Sequence, residues 1–290
     1  MPTTPAWRWL VAMPLLCTCA HAPEPAGSGD PAARLQALAA EHWEARLRDS
    51  PFMATSLGDR RYDAEVPDDS PEAKESQAAR WRSELERARL IPEAALSVED
   101  RVTRAMLVRG LEDLLSGREC RQEEWMVNHL GGVAAQILDL PSVQRAGTRE
   151  DRQRLLARWR KLPGYLDQHA QNLRRGLAAG KTGTADSVGR LLGQLDKVLA
   201  QPAADWPLVR PAAQSGLAAG SPERAEFERD LAAAIDAPEG LRAAYGRYRD
   251  FLRQQVLPRA RPDDKVGLRW VPGGSACYAR LVRIHTTLDL

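Results

Sequence analysis

The sequence predicts an all-α protein, a multi-helix array of antiparallel helices with at most one short strand near 265–271. Three observations lead there. Helix-start signals recur as Asp30-Pro31, Ser50-Pro51, Ser70-Pro71 and Ser221-Pro222, each placing an N-cap oxygen before a proline at the first helical position. Apolar residues recur at three- and four-residue spacing, as one face of a helix requires. Runs of alternating β-branched and aromatic residues, the strand signal, are nearly absent.

The amino terminus stands outside that fold. Arg8 precedes the apolar run from Trp9 to Leu16, and Cys17-Thr18-Cys19-Ala20-His21-Ala22 follows. The run is shorter than the ~20 residues of a membrane-spanning helix, so residues 1–22 read as a signal peptide and 23–30, rich in Pro, Gly and Ser, as a flexible linker. Leu16-Cys17-Thr18-Cys19 resembles a bacterial lipobox with Cys19 as the lipidated residue, and Ala20-His21-Ala22 offers an ordinary signal-peptidase site as the competing reading. The first places the protein in the periplasm or outer membrane, held to the membrane by a lipid anchor. The second has it secreted.

Residues 31–290 form the helical domain. Leu35, Leu38, Ala39, Trp43 and Leu47 make one apolar stripe on the first helix, and Arg34, Glu41, Glu44 and Arg48 its solvated face. A second helix runs from about Ser70 to Leu90 through Ala78, Trp81 and Leu85. A third, from Ser97 to Ser116, carries Val102, Met106, Leu107, Leu111, Leu114 and Leu115, with Ser97 and Asp100 approximating a capping box. The stretch from Asn128 to Leu140 is a loop running into a buried helix that Pro141 closes. Thr148–Leu162 and Gly164–Ala179 read as two helices broken at Pro163-Gly164, and Ser187–Ala200 as another. A Pro-rich linker spans Pro202 to Pro211, followed by helices over Pro222–Ile235 and Pro238–Val256. Lys265–Val271 is the lone strand or extended connector.

With 290 residues and 43% hydrophobic content the chain can bury a core. Its 41 Lys plus Arg nearly balance 39 Asp plus Glu, interspersed along the chain, which argues against a nucleic-acid footprint. Cys120 and Cys277 are the cysteines of the body; they read as separate buried thiols, with a single bridge as the alternative.

Few residues carry a chemical signature. Gly176 to Thr182 imitates a phosphate loop, but its second glycine falls four positions after the first where the motif needs five, and it follows a helix instead of a strand; Gly180 reads as a helix C-cap and no nucleotide site is expected. His42, His129, His169 and His285 are scattered singly, without the paired spacing of a zinc site. No G-x-S-x-G elbow is present. Asp68-Asp69 and Glu123-Glu124 sit beside turns and read as solvated. The densest polar cluster is Gly273-Gly274 followed by Tyr278, Arg280, Arg283, His285, Thr286 and Thr287.

Several stretches together resemble one family. The segment from Ser50 to Asp63, containing Pro51-Phe52-Met53-Ala54-Thr55-Ser56-Leu57-Gly58, is similar to the "P-x-x-A-T-x-L-G" segment of the bacterial domain-of-unknown-function 885 proteins. Pro67 to Glu72, Leu162 to Gln168, and Trp270 to Leu290 with its "P-G-G-x-x-Y … H-T-T" pattern fit further landmarks. The resemblance implies a helical, exported or lipid-anchored protein of zinc-peptidase-like type, whose HExxGH-type helix supplies two His ligands and a general base.

That motif is missing between Met1 and Leu290, so no residue inherits a catalytic or metal-binding role and no cofactor is expected in this chain; zinc belongs to the missing catalytic half. Gly273, Gly274, Tyr278, His285, Thr286 and Thr287 are expected to line a cleft or support it from behind. The expectation is an N-terminal helical portion, truncated at its C-terminus and inactive alone. The alternatives are a fragment of a functional envelope metallopeptidase, carboxypeptidase-like, whose other half is encoded downstream, and a non-enzymatic envelope binding module. Partners then are that missing half or an envelope protein, with a peptide substrate implied by the resemblance only.

Overall fold

The computed structural model describes residues 29–288, so the signal peptide expected over 1–22, with Cys17 and Cys19, and residues 23–28 of the expected linker lie outside the described residues. The fold is helical throughout, and among the described residues there is no strand. No described helix is long and apolar enough to cross a membrane.

An N-terminal layer comes first. Helix α1 (Pro31–Asp49) starts where Asp30 accepts the Ala32 N–H at 3.3 Å. Helix α2 (Pro51–Ser56) follows at once, but Ser50 makes no side-chain cap; its own N–H still bonds to Arg46 O, so it closes α1 instead of opening α2. Helices α3 (Pro71–Arg89) and α4 (Val98–Arg118) are capped by Ser70 and Ser97 as the sequence predicts, and pack against each other and against α1. Their shared core is small: Leu35, Leu38, Ala88, Ile91 and Leu96. Trp43, Val102 and Met106, predicted on apolar stripes, are mostly exposed, at 47%, 56% and 71%. Three helices in one layer bury only the sides where they touch.

The remainder is a bundle around α6 (Arg149–Ala178). A full capping box starts it, Thr148 Oγ1 accepting the Asp151 N–H and Asp151 Oδ2 accepting the Thr148 N–H, both at 3.1 Å. The break predicted at Pro163-Gly164 does not occur. Pro163 lacks an N–H and disfavours a helix interior, yet Leu155, Trp159, Leu162, Leu166, Ala170 and Leu173 form one buried stripe straight through it. Packing of that stripe outweighs the lost hydrogen bond. Gly180, with φ +70°, ends α6 as predicted, its N–H bonding to Leu177 O and that of Lys181 to Gly176 O.

Around α6 stand α5 (Val133–Asp139), α7 (Ala185–Leu199), α8 (Pro211–Gln214), α9 (Pro222–Asp236) and α10 (Leu241–Phe251), the last continued by a π-turn over Leu252–Val256. The predicted Pro-rich linker near 202–211 is core instead: two 3-10 turns bury Trp206 and Leu208, and Leu208 O accepts the Trp159 indole N–H at 3.0 Å. The predicted strand at 265–271 is two 3-10 turns, Asp263–Lys265 and Leu268–Trp270. Arg261 Nη1 collects the carbonyls of Lys265, Val266 and Gly267 at 3.0, 2.9 and 2.8 Å, which curls the segment and satisfies oxygens that a neighbouring strand would otherwise bond.

Helix α11 (Gly274–Thr286) returns to pack on α4. Cys120 and Cys277, expected as separate thiols, are joined in a disulfide that ties α11 to the end of α4, with Cα atoms 5.1 Å apart. The two lie 157 residues apart in sequence, so only the tertiary fold brings them together.

The layer and the bundle are clamped by one buried cation. Arg158 on α6 is fully buried and donates to Glu65 O at 2.8 Å, Tyr62 O at 2.6 Å and Gln144 Oε1 at 2.6 Å. Burial pushes its pKa down to about 10, against the opposing pull of Asp63 and Glu65, so it remains a cation at neutral pH.

A two-chambered cleft between the layer and the bundle

Between the layer and the bundle lies a cleft of two chambers, about 640 Å³ and about 280 Å³, which share Asp69, Lys74, Gln136 and Tyr165 on their walls. The volumes fall in or near the range of small-molecule sites. Helix α1 contributes His42, Arg46 and Asp49 to the larger chamber, α2 Phe52 and Met53, α3 Gln77 and Trp81, and α5 Asp139. The smaller chamber adds His169 of α6 and Tyr248 of α10.

Asp69 stands at the junction and is held from every side. Its carboxylate takes the Lys74 ammonium at 2.5 Å and the Tyr165 hydroxyl at 3.2 Å. Its backbone N–H donates to Gln168 Oε1 at 2.8 Å, and its carbonyl accepts from Asn172 Nδ2 at 2.9 Å. Asp68 beside it accepts from Gln168 Nε2 and from the Ser70 N–H, and the latter bond leads in holding its carboxyl below the usual range. Both residues read as solvated in the sequence; α6 organises them. Burial is the main reason the Tyr165 hydroxyl is held far above its ordinary pKa, so it stays protonated and donates.

His42 is oriented by a fully buried carboxylate. Its Nδ1 lies 2.7 Å from Glu84 Oε2, while Glu84 Oε1 lies 3.6 Å from Arg80 Nε and makes no hydrogen bond. Arg80 also pairs with Asp49. In the smaller chamber, burial lowers the His169 pKa, with Asp69 opposing, so the imidazole is neutral at ordinary pH; its ring lies 6.1 Å from that of Tyr248. Glu123 and Glu124 are not solvated either, being paired with Arg118 at 2.6 Å and Lys181 at 2.9 Å.

The residues predicted to line a cleft are brought together on α11, away from both chambers. Gly273 has φ +74° and serves as the N-cap of α11, a left-handed conformation that suits glycine. Gly274 is buried against Leu268, where a Cβ would fall 1.7 Å from the carbonyl oxygen. Both glycines therefore have a backbone reason. Tyr278 is 54% exposed, and His285, Thr286 and Thr287 are exposed in and after the last turn. Zinc, which the resemblance attaches to the HExxGH helix, finds no fitting donor set here: among the described residues no three His, Cys, Asp or Glu side chains are grouped to hold a metal.

Residues 51–290 match the family of bacterial proteins of unknown function (DUF885). The chain belongs to that family. The match runs from α2 to the last residue and so includes the bundle wall of the cleft and α11, while α1, which lends His42, Arg46 and Asp49 to the other wall, lies before it. No curated protein matches this family member. Among solved structures it is similar to a crystal structure described as a candidate lipoprotein from Colwellia psychrerythraea, at 14% identity and a TM-score of 0.75, over 90% of this chain and 47% of that one. The likeness is one of fold, and the chain spans less than half the length of that structure.

The cleft residues were not legible as a site because none falls in a motif with a chemical signature, although Phe52, Asp69 and Tyr165 lie within the segments that carry the family resemblance. Tyr165 beside Pro163-Gly164, and Asp69 immediately before a Ser-Pro helix start, were the only local irregularities that pointed to them.

Proposed function

We propose that this chain is the ligand-binding portion of an exported, lipid-anchored, zinc-peptidase-like protein, with no catalysis of its own. The cleft carries the reading. Asp69 at the junction is fixed by four groups, two on its carboxylate and two on its backbone, as a binding residue must be to lose little entropy when a ligand arrives. Its ionisable groups pair within the walls, His42 with Glu84 and Asp69 with Lys74, and neither pair sets a base beside a Ser, Thr or Cys nucleophile. A fold likeness to a candidate lipoprotein supports the export reading, with Cys19 as the lipid-bearing residue.

The test has two parts. The purified full chain, supplied with zinc and a mixed peptide pool, is expected to release no new amino termini; stoichiometric zinc uptake with hydrolysis would overturn inactivity. Cells fed a palmitate analogue are expected to label the wild-type protein and not Cys19→Ala, and label persisting in the variant would remove Cys19 from its role.

The second reading is a portion of a working envelope metallopeptidase, favoured by the 47% coverage of the similar structure. DNA following the Leu290 codon discriminates: an HExxGH-encoding frame supports it, and none within the length of the similar structure counts against it.

A further inference from the structure

We propose that the larger chamber binds a small zwitterion, a molecule with an anionic end, a cationic end and an apolar middle. The inference rests on the cleft being a binding site and names what that site takes. Of the charged side chains on its wall, His42 is engaged by Glu84, Asp49 by Arg80, and Asp69 by Lys74. Arg46 and Asp139 are the two whose side chains form no ion pair or hydrogen bond among the described residues. They belong to opposite walls, Arg46 to α1 of the layer and Asp139 to α5 of the bundle.

Asp139 has no local reason to be acidic. It lies in the last turn of α5, where the exposed carbonyl ends disfavour negative charge, and no basic residue shares that turn. Arg46 extends from the last turn of α1, one turn beyond His42. The same chamber is also lined by the apolar Phe52, Trp81, Leu114 and Val143. A ligand seated there displaces water from a partly apolar space, which strengthens both charge contacts relative to bulk solvent. An anion alone would leave Asp139 unmatched, and a cation alone would leave Arg46 so.

The test is calorimetric titration of the purified full chain at low salt with ω-aminocarboxylates of increasing length (aminohexanoate, aminooctanoate and aminoundecanoate), and with octanoate and octylamine as single-ended controls. One aminocarboxylate is expected to bind saturably, about tenfold or more tighter than either control, the advantage of one additional charge-assisted contact. Arg46→Gln and Asp139→Asn, both at exposed positions and each checked for unchanged helical content, are expected to erase that advantage. The proposal is overturned if no aminocarboxylate binds, if a control binds as tightly, or if either variant keeps the preference. Tight binding of a control would leave the cleft a ligand site of another class, and peptide hydrolysis with zinc would overturn the inactivity above without touching this preference.

Discussion

The N-terminal layer and the bundle are built from the same residue types by different means. The bundle closes 32 residues into one buried cluster around α6, whereas the buried cluster of the layer holds five. What the layer lacks in apolar contact it makes up in ion pairs between α1 and α3: Glu41 with Arg87, Asp49 with Arg80, and His42 with the buried Glu84. An exposed pair such as Glu41 with Arg87 contributes little. The layer is thus the compliant wall of the cleft and the bundle the rigid one, with Arg158 fastening one to the other.

The contrast can be broken most directly at the clamp. Arg158→Met removes a buried cation and strands the carbonyls of Glu65 and Tyr62 and the Gln144 amide, so a loss of about 3–5 kcal/mol in urea denaturation is expected. Within the walls, Trp159→Ala should cost about 3–5 kcal/mol, since the ring is fully buried and bonded to Leu208 O, while Leu38→Ala in the thinner layer should cost less, about 2–3 kcal/mol. Equal losses from the two would erase the distinction between rigid and compliant walls.

Opening the disulfide sharpens the comparison at α11. Besides Cys277, that helix buries only Gly274, so Cys277→Ser is expected to cost about 2–4 kcal/mol and to raise amide exchange over 274–286 while α6 stays protected. Uniform loss of protection would instead make the bridge a support of the whole core.

The smallest effect is acidic. Hydrogen bonds from Arg87 hold the Glu41 carboxyl below its ordinary range, and the Ser70 N–H leads in doing the same for Asp68. A carboxyl depressed in the fold contributes stability that is present above its unfolded value, near about 4, and is lost as pH falls through the lower folded value. With Glu41 nearly half exposed, each contribution is under about 1 kcal/mol. Hydrogen exchange below about pH 4 should therefore show α1 and α3 opening before α6; the reverse order would place the weaker wall in the bundle.

Much of the helical pattern was legible in local signals, because caps and helix ends are decided within four or five residues. Asp30, Ser70, Ser97, Ser221 and Gly180 all act where the sequence places them, and Ser50 alone of the predicted caps does not. The misreadings share one cause, which is contact between distant segments. Pro163 stays helical because a buried stripe crosses it, Trp206 is core because α6, α9 and α10 enclose it, and Asp69 is fixed because α6 reaches it from about a hundred positions away.

The sequence by itself determined the helical class, the caps and the family, since those depend on local spacing and on segments that can be recognised singly. Only the tertiary structure decided that Cys120 meets Cys277, that Lys265 to Val271 coils around Arg261, and that Arg46 and Asp139 line one chamber from opposite walls. The reason is that a cleft is made by what two elements leave between them. Residues from α1 and α5 share it only once Arg158 has drawn the layer onto the bundle.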